Sequence, residues 1–192
     1  MDTRGKKIIL ASGSPRRREL LEAMDIQFTV DTDTSFVETY SPDTPHEKVP
    51  ELMSEGKSLG FHRELEEDEI LVTSDTMVLC DSEILGKPHG KEDAVRMLRL
   101  LSGREHQVIT AVTIRDSKQT ETFSVTSNVF FKDLSYSEID YYIETYKPFD
   151  KAGAYGIQEW IGYIGISKLE GSFYNVMGFP TQRFWEELQK FL

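Results

Sequence analysis

The chain has 192 residues, 39% of them hydrophobic and 29% charged, and a net charge of −11. That length supports one substantial core, or two small lobes sharing one, while the acidity excludes general binding to nucleic acid or an anionic membrane, since either polyanion is repelled over most of the surface. A single cysteine, Cys80, excludes an intrachain disulfide and a thiolate metal site built from one chain, and the four histidines lack paired ligand spacing.

In chain order, Met1 to Arg4 leads into four apolar residues, too few for a signal peptide or membrane span, so a cytoplasmic protein is expected. Lys7 to Ala11 reads as a buried strand. Ser14 suits an N-cap and Pro15 the first position of a helix whose apolar face is Leu20, Leu21 and Met24. Gln27 to Asp31 reads as a second strand, followed by a polar, proline-punctuated stretch from Asp33 to Pro45. A helix covers much of Glu47 to Phe61, with Pro50 and Gly56 counting against it. The charge run Arg63 to Glu69 reads as a solvated connection, and Ile70 to Cys80 as a strand covered on both faces. Gly86-Lys87-Pro88 marks a turn before a helix carrying Ala94, Met97, Leu98 and Leu101, ended by Gly103.

Val108 to Ile114 and Thr122 to Phe131 form an antiparallel hairpin about Asp116 to Gln119. Ser135 and Glu138 have capping-box spacing before a short helix that reaches Tyr146 and stops at Pro148. A glycine-rich segment holds Gly153, Gly156, Gly162 and Gly165, and Pro180 opens a last helix packed through Phe184, Leu188 and Phe191. Alternating periods of 2 and 3.6 residues indicate an α/β fold with a mixed, partly antiparallel central sheet flanked by helices, in one domain over 1–192.

Four segments carry chemistry. Arg16, Arg17 and Arg18 fall in the first turn of a helix, where unpaired amides and the macrodipole favour anions. A polyanion bound at that turn would offset their cost, and a solvated arginine face paired with Glu19 and Glu22 is the alternative. Asp75 interrupts the strongest strand, where a carboxylate needs a metal, a cation or a catalytic task, or forms an ordinary buried ion pair. Lys87 is a cation on a stiff turn. In Asp150 to Gln158 small residues let the backbone approach a ligand while Lys151 and Gln158 offer donors, or the stretch is a glycine-rich surface loop.

Together these segments resemble the Maf family of nucleoside triphosphate pyrophosphatases. The resemblance is carried by Ser12 through Leu21, Lys57, Ser74-Asp75-Thr76, Gly86-Lys87-Pro88, Leu101-Ser102-Gly103 and Asp150 to Gln158, in that order. It implies two lobes around a nucleotide cleft, of the Maf/ITPase-like kind, and hydrolysis of a nucleoside triphosphate between the α and β phosphorus atoms. Asp75, Lys57 and Lys87 would then be catalytic, Asp75 as the base or water-orienting carboxylate, with Asp75 and Glu38 as ligands of a divalent metal, Mg²⁺ or Mn²⁺. Ser12, Ser14, Arg16, Arg17 and Lys151 would bind the phosphates. Arg16, Thr76 and Gln158 match the subgroup acting on dTTP and UTP, and the last two could read the edge of a pyrimidine. Ser74 and Gly56 depart from that subgroup's pattern.

The resemblance also implies a house-cleaning hydrolase whose partner is a small nucleoside triphosphate, and a homodimer is the family expectation; the acidity and the lack of a continuous basic stripe argue against a nucleic acid or membrane partner. The competing expectation is a nucleotide-binding regulator of cell division or septum formation in which hydrolysis is not the output.

Overall fold

The computed structural model describes residues 2–192. Its strands and helices, in chain order, are β1 (Lys7–Leu10), α1 (Pro15–Ala23), β2 (Phe28–Val30), α2 (Val49–Leu59), β3 (Glu69–Cys80), β4 (Glu83–Leu85) and α3 (Lys91–Leu101). They continue with β5 (Glu105–Arg115), β6 (Thr120–Phe131), α4 (Tyr136–Tyr146), α5 (Trp160–Gly165), β7 (Ile166–Glu170), α6 (Phe173–Met177) and α7 (Thr181–Leu188). The strand order is β2-β1-β3-β5-β6-β7, with β4 paired to β3. β1 runs parallel to β2 and β3, whereas β4 on β3 and β7 on β6 are antiparallel, so the sheet is mixed. No described helix is long and apolar enough to cross a membrane.

The chain divides into two compact units. One holds the stretch ending at Asp75 together with Thr110–Val125 and Gly178–Leu192, and the other holds Thr76–Ile109 and Thr126–Met177.

In the first unit β1 lies beside β3 in the register Lys7↔Glu69 to Leu10↔Val72, and Ile9, Phe61 and Leu71 form a buried cluster with Ala11 and Leu65 against it. Burying such side chains removes apolar area from water at about 25 cal/mol per Å². Ser14 is the N-cap residue of α1 and Pro15 its first residue, as the sequence indicates, although the Ser14 side chain makes no capping bond. Pro50 is tolerated because it falls in the first turn of α2, where its missing N–H has no intrahelical acceptor. The charge run is not a solvated connection throughout. Glu69 begins β3, is buried, and takes two bonds from Arg63 (2.7 and 2.9 Å) and one from the Glu66 amide (2.9 Å), an arrangement that local sequence pattern does not specify. Pro180 caps α7 rather than opening it, and Phe184, Leu188 and Phe191 are buried.

In the second unit α3 buries Ala94, Met97, Leu98 and Leu101, the four residues at helical spacing. α4 has the expected capping box, with Ser135 Oγ accepting from the Glu138 amide and the Ser135 amide donating to Glu138 Oε2 at 2.7 Å. The glycine-rich segment is more ordered than its composition suggests, for it includes α5 and leads into β7 and α6. A Cβ on Gly162 would fall 1.8 Å from the Ile157 carbonyl oxygen, so only glycine lets that chain fold so closely. β4 and β7 escape sequence reading because they are short and half exposed, which leaves no apolar alternation to detect.

Candidate active site

Of the twelve residues of β3, Asp75 and Thr76 alone are not buried. Strand pattern therefore covers every other position and leaves these two accessible. Asp75 belongs to the first unit. Its Oδ1 lies 2.7 Å from Lys57 Nζ, and the same ammonium lies 2.8 Å from Glu38 Oε1. The side chains of Lys57 and Asp75 are 18% and 20% exposed, whereas Glu38 is 62% exposed. One lysine thus gathers two carboxylates, one on a rigid strand and one on the long connection between β2 and α2.

The turn between β1 and α1 lies in the same unit. Ser12 is buried, and its Oγ accepts from the Ser14 amide (3.3 Å) and from Arg17 Nη1 (3.1 Å). Arg17 Nη1 also donates to the Ser74 carbonyl at 2.8 Å, and Nε to the Gly178 carbonyl at 3.0 Å. Burial pulls this guanidinium down to about 10, with Asp75 opposing and the neighbouring charge of Arg16 reinforcing the shift, so it stays charged near neutrality. Arg17 therefore ties the turn to the strand residue preceding Asp75. Arg16 occupies the first turn of α1 and is half-buried. Beneath Asp75 a ladder of hydroxyls is satisfied internally. Thr73 Oγ1 donates to the Ser54 carbonyl (2.7 Å), and Ser54 Oγ meets Thr113 Oγ1 at 2.9 Å.

Thr76, Lys87, Lys151 and Gln158 belong to the second unit. There the Gly153 amide donates to the Gly86 carbonyl at 3.1 Å, which ties the turn bearing exposed Lys87 to the segment bearing Lys151 and Gln158. Gly153 has φ +68, and a Cβ there would press on Val78 at 3.0 Å, so both conformation and space require glycine. Lys151 is buried, and its Nζ lies 2.8 Å from Asp150 Oδ1 and 3.1 Å from Glu159 Oε1. Tyr142, at the core of α4, donates its hydroxyl to the other oxygen of Glu159 and accepts from the Gly156 amide at 3.0 Å. Burial first, then Glu159, push the Tyr142 phenol well above its ordinary range, so it remains a donor.

Tyr142 and Glu159 escape sequence reading. Tyr142 looks like an ordinary helix core residue, and Glu159 gains meaning only when α4 is folded beside it. Gln158 Oε1 is buried and has no hydrogen-bond partner within the protein, an acceptor that normally finds a donor. A pocket lined by Leu79, Asp81, Arg104, Glu105, His106 and Gln107 contains none of these residues.

No group of three or more His, Cys, Asp or Glu among the described residues could hold a metal by itself. Glu38 and Asp75 nevertheless converge on the Lys57 ammonium with oxygen donors, the ligand type that a Mg²⁺-like ion takes.

The family model described as "Maf-like protein" matches residues 7–191. A protein of Porphyromonas gingivalis strain W83 named "dTTP/UTP pyrophosphatase" is 49% identical over 187 residues, covering 96% of this chain and 94% of its own. A Bacteroides thetaiotaomicron protein of the same name is 46% identical over 184 residues, covering 96% and 95%, and one from Flavobacterium johnsoniae is 46% identical over 182, covering 95% and 93%. A family match spanning nearly every residue, with relatives aligned end to end, leaves one assignment: the chain belongs to the Maf-like protein family.

Proposed function

We propose that the chain is a nucleoside triphosphate pyrophosphatase that hydrolyses dTTP and UTP between the α and β phosphorus atoms, releasing the monophosphate and pyrophosphate. The observation that carries the reading is Asp75, accessible on an otherwise buried strand and held with Glu38 by Lys57. The names of the full-length relatives supply the substrate class.

Asp75 accepts the proton of the attacking water and orients it towards the α phosphorus. Lys57, placed between two carboxylates, offers positive charge to the oxygens where negative charge develops. Arg16, with Ser12 and Ser14 at the turn that begins α1, receives phosphate oxygens, while Arg17 holds the turn against the Ser74 carbonyl. Lys87 and Lys151 supply further cations for the triphosphate. A divalent ion held by Asp75, Glu38 and the phosphates would neutralise charge on the substrate. Thr76 and Gln158 read the base. The buried, unpartnered Oε1 of Gln158 suits the N3–H of uracil or thymine. A cytoplasmic location fits a nucleotide substrate and a lone buried thiol.

The test is a hydrolysis screen of the common nucleoside triphosphates with Mg²⁺ and Mn²⁺, with products identified. Pyrophosphate release from dTTP and UTP in preference to ATP and GTP is the expected result, and Asp75→Asn should lower turnover by about 10²-fold or more while remaining folded. Orthophosphate as the product, or undiminished turnover in a folded Asp75→Asn variant, would overturn the reading.

A further inference from the structure

The connection that delivers Glu38 is almost devoid of buried side chains. Among the described residues 32 to 43, Phe36 alone is not exposed. Its ring lies over α2 at Gly56, and its Cβ and backbone nitrogen lie against Gly60, the residue that caps the helix; the two glycines are four residues apart and so share one face of the chain's helical path. A Cβ built on Gly56 would fall 2.2, 2.3 and 2.7 Å from three ring atoms of Phe36, and one on Gly60 would fall 2.8 Å from both the Cβ and the backbone nitrogen of Phe36.

Neither glycine has a positive φ, so the backbone does not demand glycine at either position. Gly56 costs a helix interior about 1 kcal/mol relative to alanine. What the helix gains there is a notch without side chains, filled by one aromatic ring.

Backbone contacts align the connection with that notch. The Ser35 amide donates to the Gly60 carbonyl at 2.8 Å, Thr34 forms a bridge with Phe61, and the Phe36 amide donates to Thr34 Oγ1 at 3.2 Å. Asp31 Oδ2 meets His62 Nε2 at 2.9 Å. Two residues beyond Phe36, Glu38 reaches Lys57, the residue that follows Gly56. The seat of the ring and the target of the carboxylate are therefore neighbours on one helix.

We propose that Phe36 is a positioning residue, which by filling the Gly56–Gly60 notch fixes an otherwise exposed connection and sets Glu38 on Lys57 beside Asp75. The inference rests on the catalytic reading of Lys57, Glu38 and Asp75. It assigns to Phe36 no contact with substrate.

The experiment compares Phe36→Ala, Phe36→Leu, Gly56→Ala, Glu38→Gln and the double variants Phe36→Ala/Glu38→Gln and Phe36→Ala/Gly56→Ala with the parent. Turnover of UTP and amide hydrogen exchange over residues 34–38 are both measured. Phe36→Ala should lower kcat about 10- to 100-fold, by as much as Glu38→Gln, and Phe36→Ala/Glu38→Gln should be no worse than either single variant. Phe36→Leu should recover part of the loss. Gly56→Ala should impair the parent yet add nothing in the presence of Phe36→Ala, because the ring it collides with is gone. Exchange protection at Ser35 should fall in Phe36→Ala and persist in Glu38→Gln.

Parent-like kcat in Phe36→Ala, or losses that multiply in Phe36→Ala/Glu38→Gln, would overturn the coupling to Glu38, and retained protection would overturn the anchoring. Undiminished turnover in Asp75→Asn would instead remove the catalytic reading beneath it, a failure seen in a different variant.

Discussion

At the scale of residues, the chain commits some cations to structure and others to a site. Arg17 spends three hydrogen bonds on Ser12 and the carbonyls of Ser74 and Gly178, and Glu69 consumes both ends of Arg63. Lys57 instead stands between two carboxylates with part of its side chain open to water. Gln158 is the clearest residue that the protein alone leaves incomplete, since its buried Oε1 has no partner. Gln158→Glu keeps the shape and the acceptor of that side chain but replaces its Nε2 donor, which would pair with a pyrimidine carbonyl, by a charged second acceptor. The kcat/KM ratio of UTP to GTP should therefore fall by an amount worth about 1–3 kcal/mol. Steady-state kinetics on both nucleotides checks it, and an unchanged ratio would take Gln158 out of base recognition. Asp75 and Gln158 are legible in sequence because an acid inside an apolar strand and an amide beside small residues violate local preference. Tyr142 and Glu159 are not, because each is ordinary in its own segment.

At the scale of elements, the signals that survive folding are those closed within a few residues. α4 is an example, for its capping box is written into Ser135 and Glu138 and both reciprocal bonds are present. Ser135→Ala should lower stability by about 1 kcal/mol without altering kcat, because it frees the Glu138 amide at a helix end and touches no site residue. Chemical denaturation measures that change, and a loss near zero would mean the box contributes nothing in this context. β4, β7 and α6 illustrate the opposite case. They are short and only partly buried, so their existence depends on pairing with β3 and β6 or on local packing rather than on their own apolar pattern. α2 is intermediate: its helical period is legible, while the reason for Gly56 lies on Phe36, twenty residues earlier in the chain.

At the scale of the whole molecule, a strongly acidic surface encloses interiors that keep a few titratable groups neutral. His106 is 2% exposed, contacts the Tyr155 hydroxyl at 2.7 Å, and is pushed down to about 4 by burial. Its pKa is lower folded than unfolded, so the unfolded chain binds the extra proton. Stability is therefore fully present above about 6.5 and is lost as pH falls towards 4, a contribution of about 3 kcal/mol. Urea unfolding at several pH values should show that loss in the parent and a shallower one in His106→Gln, and equal slopes would refute the assignment to His106.

The alternation of strands and helices, the mixed α/β class and the family are legible along the chain, because they rest on periodicity and on motifs of a few adjacent positions. What only the tertiary structure decided is which arginine is spent on carbonyls, that Lys57 gathers Glu38 with Asp75, and that Gly56 is a seat for Phe36. Those facts join residues far apart in the chain, and distance, burial and the absence of a Cβ become physical quantities only once the chain has packed.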